Sequence, residues 1–172
     1  MKSEFTVLGV SFNWEKRKGL DVFIQLAKML DERYHIVLVG TDSVIDQQLP
    51  SNIKSIHQTS NLDELRKLYT SADVFVNPTR EENFPTVNIE ALACGTPVVT
   101  FITGGSAEII DPSCGIAIRQ DDIEGIRQAI IRTCEDAPFS TMQCRRRALQ
   151  FEKTTKFQEY IALYNELAGE DE

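Results

Sequence analysis

The sequence is short of the residue patterns that metal and thiol chemistry require. Its 172 residues hold two histidines, His35 and His57, and four cysteines, Cys94, Cys114, Cys134 and Cys144. No CxxC pair occurs and no histidine stands at ligand spacing from a cysteine, so no metal site is expected. The thiols read as reduced, structural residues of a cytoplasmic protein, three of them in helical patterns. His35 begins one apolar run and His57 ends another, and neither has a partner for a Ser–His–Asp or Cys–His arrangement. The Walker pattern GxxxxGK[ST] and the GxGxxG fingerprint are both missing. No signal peptide and no apolar run of ~18 residues occurs, so no transmembrane segment is expected. Positive charge is scarce too, with 18 Lys and Arg against 26 Asp and Glu for a net charge of −8. That excludes the broad basic face of a nucleic-acid or anionic-membrane binder. A small anionic ligand, which needs only a local basic site, remains open.

What is present is an alternation of strand and helix patterns. Runs rich in β-branched and aromatic residues occur at FTVLGVSF (5–12), HIVLVG (35–40), IKSIHQ (53–58), DVFVNP (73–78), PVVTFI (97–102) and GIAIRQ (115–120). Most are continuously apolar, as suits strands covered on both faces of a parallel sheet. Between them, Phe23, Leu26, Ala27 and Leu30 keep helical spacing, as do Leu62, Leu65, Tyr69 and Ala72 behind an Asn61/Glu64 capping box. Asp121 and Asp122 open another helix, with Ile123, Ile126 and Ile130 inward. The pattern predicts an α/β fold: a Rossmann-like, doubly wound parallel sheet of six strands with helices on both faces. Such sheets bind ligands at the carboxyl ends of their strands, near the switch in strand order. With 42% hydrophobic residues and no linker or repeat, residues 1–172 read as a single domain, or one half of a larger enzyme. After Cys134 the pattern is all-helical. Arg145, Arg146 and Arg147 read as a solvated helix face. The stripe Phe157, Tyr160, Ile161, Tyr164 and Leu167 reads as a helix packed on the sheet.

Three stretches carry candidate chemistry. In EENFPTVNIEALACGTPVV (81–99), Pro85 suits a first helical turn, and Gly95 with Pro97 suits its end, placing a helix over 85–94. Following the strand DVFVNP, that helix presents the free N–H groups of Phe84 to Val87 at the sheet's carboxyl edge, where they suit a phosphate. Glu82 lies at the mouth. Glu90, about a turn and a half deeper, leans back toward it among apolar neighbours, and a freely solvated place for it is not expected. In WEKRKGLD (14–21), the bases Lys16, Arg17 and Lys18 precede Gly19, which permits close backbone approach, and Lys18 suits a diphosphate. In TGGSAEII (103–110), Gly104 and Gly105 permit either a tight turn or close ligand approach, and Glu108 reads as a cap-proximal acid.

Together these stretches resemble the signature of family-four retaining glycosyltransferases, in which two glutamates eight positions apart precede a G-T-P-V-V ending. The resemblance extends to VLGVSFNWEKRKGLDVFIQLAKML, LRKLYTSADVFVNPT and TGGSAEII, and so covers residues 6–168 in order. It implies the C-terminal, donor-binding half of a GT-B fold, two Rossmann-like domains facing a cleft, with the N-terminal acceptor domain absent. Because the family's C-terminal helix reaches back to that other domain, the resemblance also implies an alternative for the aromatic stripe, exposure through loss of its partner surface. By resemblance, Glu82 and Lys18 carry the catalytic step, near the donor hexose and on the diphosphate respectively. Glu90 meets the ribose hydroxyls, Asn83, Phe84, Pro85, Thr86 and Val87 surround the sugar and diphosphate, and Gln58 and Thr59 lie against the base. Gly9, Lys16 and Arg17 complete the donor-binding set. One departure stands out: the family often has an arginine shortly after the first strand, where this chain reads VSFNW, and Lys16 and Arg17 are the nearest bases to replace it. The resemblance further implies transfer with retention from a nucleotide diphosphate sugar to a glycan or glycolipid, as in polysaccharide assembly. It implies no cofactor, no required metal and no nucleic acid, with peripheral membrane association open to the full enzyme. A nucleotide-sugar epimerase of the same architecture and a non-catalytic nucleotide-binding module are the alternatives.

Overall fold

A computed structural model describes residues 3–169. In chain order the elements are β1 (Phe5–Val10), α1 (Leu20–Met29), β2 (Tyr34–Val39), α2 (Ser43–Asp46), β3 (Ile53–Ile56), α3 (Leu62–Ser71), β4 (Val74–Asn77), α4 (Thr86–Cys94), β5 (Val98–Phe101), α5 (Ser106–Ile109) and β6 (Gly115–Ile118). Three further helices follow, α6 (Ile123–Glu135), α7 (Thr141–Leu149) and α8 (Lys153–Ala168). The strands form one six-stranded sheet in the order β3-β2-β1-β4-β5-β6, every neighbour parallel. This is the doubly wound arrangement expected, with its switch point between β1 and β4.

Strand alternation divides the core in two. Val7, Val74, Val76 and Val99 face α1 and α6, packing with Phe23, Leu26, Ile126 and Ile130. Leu8, Phe75 and Val98 face the other way, onto Tyr69 of α3, Leu92 of α4, Ile109 of α5 and Cys144 and Ala148 of α7. Because both faces are covered, the strands read as continuous apolar runs. Side-chain caps set several helix starts. The Asn61 carboxamide accepts from Glu64 N at 2.9 Å and Asp122 from Gly125 N at 2.8 Å. None of the four cysteines forms a disulfide. Burial, followed by the Cys114 sulfur nearby, pushes the Cys144 thiol up to about 12, so it stays protonated.

Three expectations are corrected. Leu62, the first residue of α3, is exposed, so the inward stripe of that helix begins at Leu65. Arg147 is not part of a solvated basic face: its guanidinium donates to the carbonyls of Ile109, at 2.9 Å, and Glu108, and lies over the Phe151 ring. It thus satisfies carbonyls that the end of short α5 leaves open. The aromatic stripe of α8 does not pack on the sheet. Phe157, Tyr160, Ile161, Tyr164 and Leu167 are all exposed, and α8 buries none of its residues.

Candidate functional site

At the switch point the chain leaves β1 and β4 in opposite directions, and the gap above Val10 and Asn77 opens into two adjoining hollows. The first, about 350 Å³, is lined by Val10–Trp14, Arg17, Lys18, Asn77, Glu82 and Phe84–Val87. The second, about 560 Å³, lies over β1, β2 and β3 and is lined by Val10–Trp14, Val39–Asp42, Ile45, His57–Thr59, Leu65 and Val87. Val10–Trp14 and Val87 border both, and Phe12, fully exposed, stands at their common lip.

The first hollow is built around the front of α4. Its N-cap is Pro85, with no side-chain cap, so the first-turn N–H groups and the positive helix end stay available at Thr86 and Val87. Glycine ends the helix: Gly95 adopts φ +89°, a left-handed turn that satisfies the carbonyls of Ala91 and Leu92. The Lys18 ammonium donates to Glu82 Oε2 at 2.6 Å, and both side chains are about three-quarters buried, 23% and 22% exposed. Asn83 N donates back to Glu82 Oε1 at 3.1 Å.

The glycines of this region serve backbone packing. A Cβ on Gly19, φ +80°, would meet Pro78 O at 2.5 Å. A Cβ on Gly104 would lie 1.6 Å from Glu82 O, and one on Gly105 would lie 2.4 Å from Asn83 O. Gly105 N also donates to Asn83 O at 2.7 Å. The close approach permitted by TGG is therefore to the Glu82–Asn83 backbone, which it props from behind. Gly9 is buried too, and a Cβ there would collide with Phe23 and Leu38; its role is core packing, away from both hollows.

The remaining predicted residues divide. Phe84, Pro85, Thr86 and Val87 line the first hollow, and Gln58 and Thr59 the second. Arg17 lines the first hollow but is held by Glu15 at 2.7 Å. Lys16 is exposed and lines neither; its carbonyl accepts from Arg80. Asn83 is exposed, and its contribution to the described bonding is through the backbone. Glu90 is exposed, contrary to the expectation from its apolar neighbours, because it falls on the α4 edge that faces α3. There its Oε2 accepts from the Tyr69 hydroxyl at 3.0 Å. It lines neither hollow, but it follows Val87, a wall of both, by three residues on the same helix face.

Sequence reasoning missed three supports. Arg80 clamps Asp21, in the first turn of α1, through both carboxylate oxygens, at 2.8 and 3.0 Å, and Asp121 at 2.6 Å. It also donates to the Lys16 carbonyl, tying the loops after β1, β4 and β6 together. Trp14, the one tryptophan, walls both hollows and donates to Val39 O at 2.9 Å. On the hollow's floor Asn77 donates to Asn88 Oδ1 at 2.9 Å. Charge inside an acidic stretch was the available signal for Arg80; two asparagines in apolar runs marked the last pair. Among the described residues no three His, Cys, Asp or Glu side chains gather into a metal-binding group, and no helix is long and apolar enough to cross a membrane.

Comparison with known proteins bears on the family and the fold. The family model of glycosyl transferases group 1 matches residues 4–136. An uncharacterized glycosyltransferase of Methanocaldococcus jannaschii is 33% identical over 133 residues, covering 72% of this chain and 34% of its own length. The sucrose-phosphate synthase of Thermosynechococcus elongatus superposes with a TM-score of 0.78 at 26% identity, over 99% of this chain and 47% of that one. An Anabaena protein, HepE, solved in complex with UDP-glucose, shares the fold with a TM-score of 0.77 at 18% identity, over 94% of this chain and 48% of that one. The chain thus spans about a third of that curated relative and about half of those solved chains.

Proposed function

The chain belongs to the group 1 glycosyl transferases, and on that premise we propose that it is the C-terminal, donor-binding domain of a retaining GT-B enzyme. The nucleotide lies in the second hollow, its base against Gln58 and Thr59 and its ribose toward Glu90. The diphosphate crosses the shared wall at Val87 onto the uncapped front of α4, and the sugar sits beside Glu82. One observation carries the reading. Two hollows share a wall at the switch point, and one of them pairs a helix N-terminus with a lysine, two features that attract a diphosphate.

The residues then suggest the mechanism. As the anomeric bond breaks, negative charge grows on the diphosphate, and the Lys18 ammonium and the amides of Thr86 and Val87 stabilise it where it develops. Glu82 orders the sugar hydroxyls and holds Lys18 in place; it is not assigned as a nucleophile. Neither a metal nor another cofactor is needed for this step. The acceptor, a glycan or glycolipid, is held by a second, N-terminal domain, and the intact enzyme works in the cytoplasm. The 172-residue chain therefore binds donor and transfers nothing by itself.

Calorimetric titration with UDP, GDP, ADP and NAD tests this. One nucleoside diphosphate should bind, and Lys18→Ala should weaken it. Binding of NAD in preference to all three, or acceptor-dependent turnover by the chain alone, would overturn the assignment.

A further inference from the structure

Tyr69 is 1% exposed, and a buried phenol hydroxyl needs a partner. Its partner is Glu90, an exposed residue of the neighbouring helix, whose Oε2 accepts at 3.0 Å. The phenol is a fixed donor. Its ring stands edge-on to Phe75 with centroids 5.4 Å apart. Its own carbonyl accepts from Thr96 Oγ1 at 2.6 Å, which ties the end of α3 to the turn after α4. Burial, and next the charge of Glu90, raise the phenol pKa far above its ordinary value, so it stays protonated at any working pH.

The pair is also placed for use. Tyr69 follows Leu65 by four residues and Glu90 follows Val87 by three, and Leu65 and Val87 both line the second hollow. An exposed glutamate otherwise samples several rotamers and would lose that freedom on binding a ligand. Among the bonds of the described residues only Oε2 is engaged, which leaves Oε1 to take up a new partner.

We infer that Tyr69 is a positioning residue, whose hydroxyl holds the Glu90 carboxylate in the orientation that meets the ribose hydroxyls of the bound nucleotide. The inference rests on the donor-binding reading above. It distinguishes Tyr69 from a core residue that merely found a convenient acceptor.

The test compares the tightest-binding of UDP, GDP and ADP with its 2′,3′-dideoxy form, on the 172-residue chain, on two single variants and on their combination. Glu90→Ala should lose about tenfold or more in affinity for the ribonucleotide and bind both forms alike, since a hydrogen bond to a charged group contributes about 1.5–3 kcal/mol. Tyr69→Phe keeps the buried ring. It should lose about threefold to tenfold for the ribonucleotide, leave the dideoxy form unchanged, and add nothing when combined with Glu90→Ala. A Tyr69→Phe chain that keeps the full preference for ribose, while Glu90→Ala loses it, sinks the positioning role and leaves the donor reading intact. A Glu90→Ala chain that discriminates as before removes Glu90 from ribose recognition, and the inference goes with it.

Discussion

Helices α4 and α8 are both rich in apolar residues, and the protein treats them in opposite ways. Helix α4 has nine residues, no strongly one-sided pattern and three buried side chains, Asn88, Ala91 and Leu92. Helix α8 has sixteen residues, an aromatic stripe at helical spacing and none buried. The difference lies in the connections. Helix α4 is the crossover between β4 and β5, two adjacent parallel strands, so both its ends are tied to the sheet and the chain must lay it across the face. Helix α8 follows α7 through a short turn and is not a crossover between any two of the six strands. A stripe therefore states what a helix can bury, and a crossover between adjacent parallel strands is one connection that makes it do so. The tethering of α4 has a functional consequence as well. A crossover entering from a strand's carboxyl end places its N-terminus at the ligand edge, with first-turn N–H groups directed outward.

The comparison breaks most easily at Leu92, which is fully buried beneath α4. Leu92→Ala should cost about 2–5 kcal/mol of stability, the transfer and cavity terms of a core leucine. Urea unfolding followed by circular dichroism measures it. A cost under about 1 kcal/mol would mean that α4 is not anchored as the tethering argument requires.

The next effects fall at the mouth of α4 and concern binding more than folding. Lys18→Ala should weaken nucleoside diphosphate binding about tenfold or more, because a charge-assisted bond to phosphate contributes about 1.5–3 kcal/mol. Lys16→Ala, on the exposed side of the same turn, should have little effect. Glu82→Gln should act in the opposite direction. The Glu82 carboxylate engages, at 2.6 Å, the ammonium that a diphosphate would use. Removing its charge should raise the affinity for a free nucleoside diphosphate up to about fivefold, given the 0–1 kcal/mol typical of partly exposed pairs. Calorimetry on the three variants separates the effects. A weaker rather than tighter Glu82→Gln complex would show that the pair assists diphosphate binding instead of competing with it.

Much of α4's position was legible in the residues: Pro85 and Gly95 mark its ends, and the apolar run DVFVNP before it predicts a buried strand leading in. The six strands and the switch-point location follow from the same reasoning, because continuous apolar runs alternating with helices have few other solutions. What could not be seen is which partner each side chain meets across the chain. Apolar neighbours around Glu90 suggested seclusion. The helix instead turns that residue to the α3 edge, where a tyrosine 21 positions away meets it. Gly104 and Gly105 read equally well as a ligand cradle or a turn, and only the placement of the Glu82–Asn83 backbone behind them shows what their missing side chains make room for. Arg80 joins three loops whose meeting depends on strand order, which no local spacing records.

The smallest effect is expected at Tyr164, and it completes the comparison. Tyr164 is 66% exposed and touches Tyr160 of its own helix, ring centroids 6.4 Å apart, on an element that buries nothing. Tyr164→Ala should change stability by less than about 0.5 kcal/mol, the range of surface substitutions, against several for Leu92→Ala. Far-ultraviolet circular dichroism should show α8 losing at most a little helix, since a tyrosine-pair contact along a helix contributes only a few tenths of a kcal/mol. Thermal melts of both variants at one protein concentration make the contrast direct. A large loss at Tyr164 would place the stripe against a surface after all, and repeating the melt across a tenfold range of concentration would tell whether that surface belongs to the same chain or to a second copy. In a single-chain contact the transition stays fixed with concentration; in a contact between copies it moves.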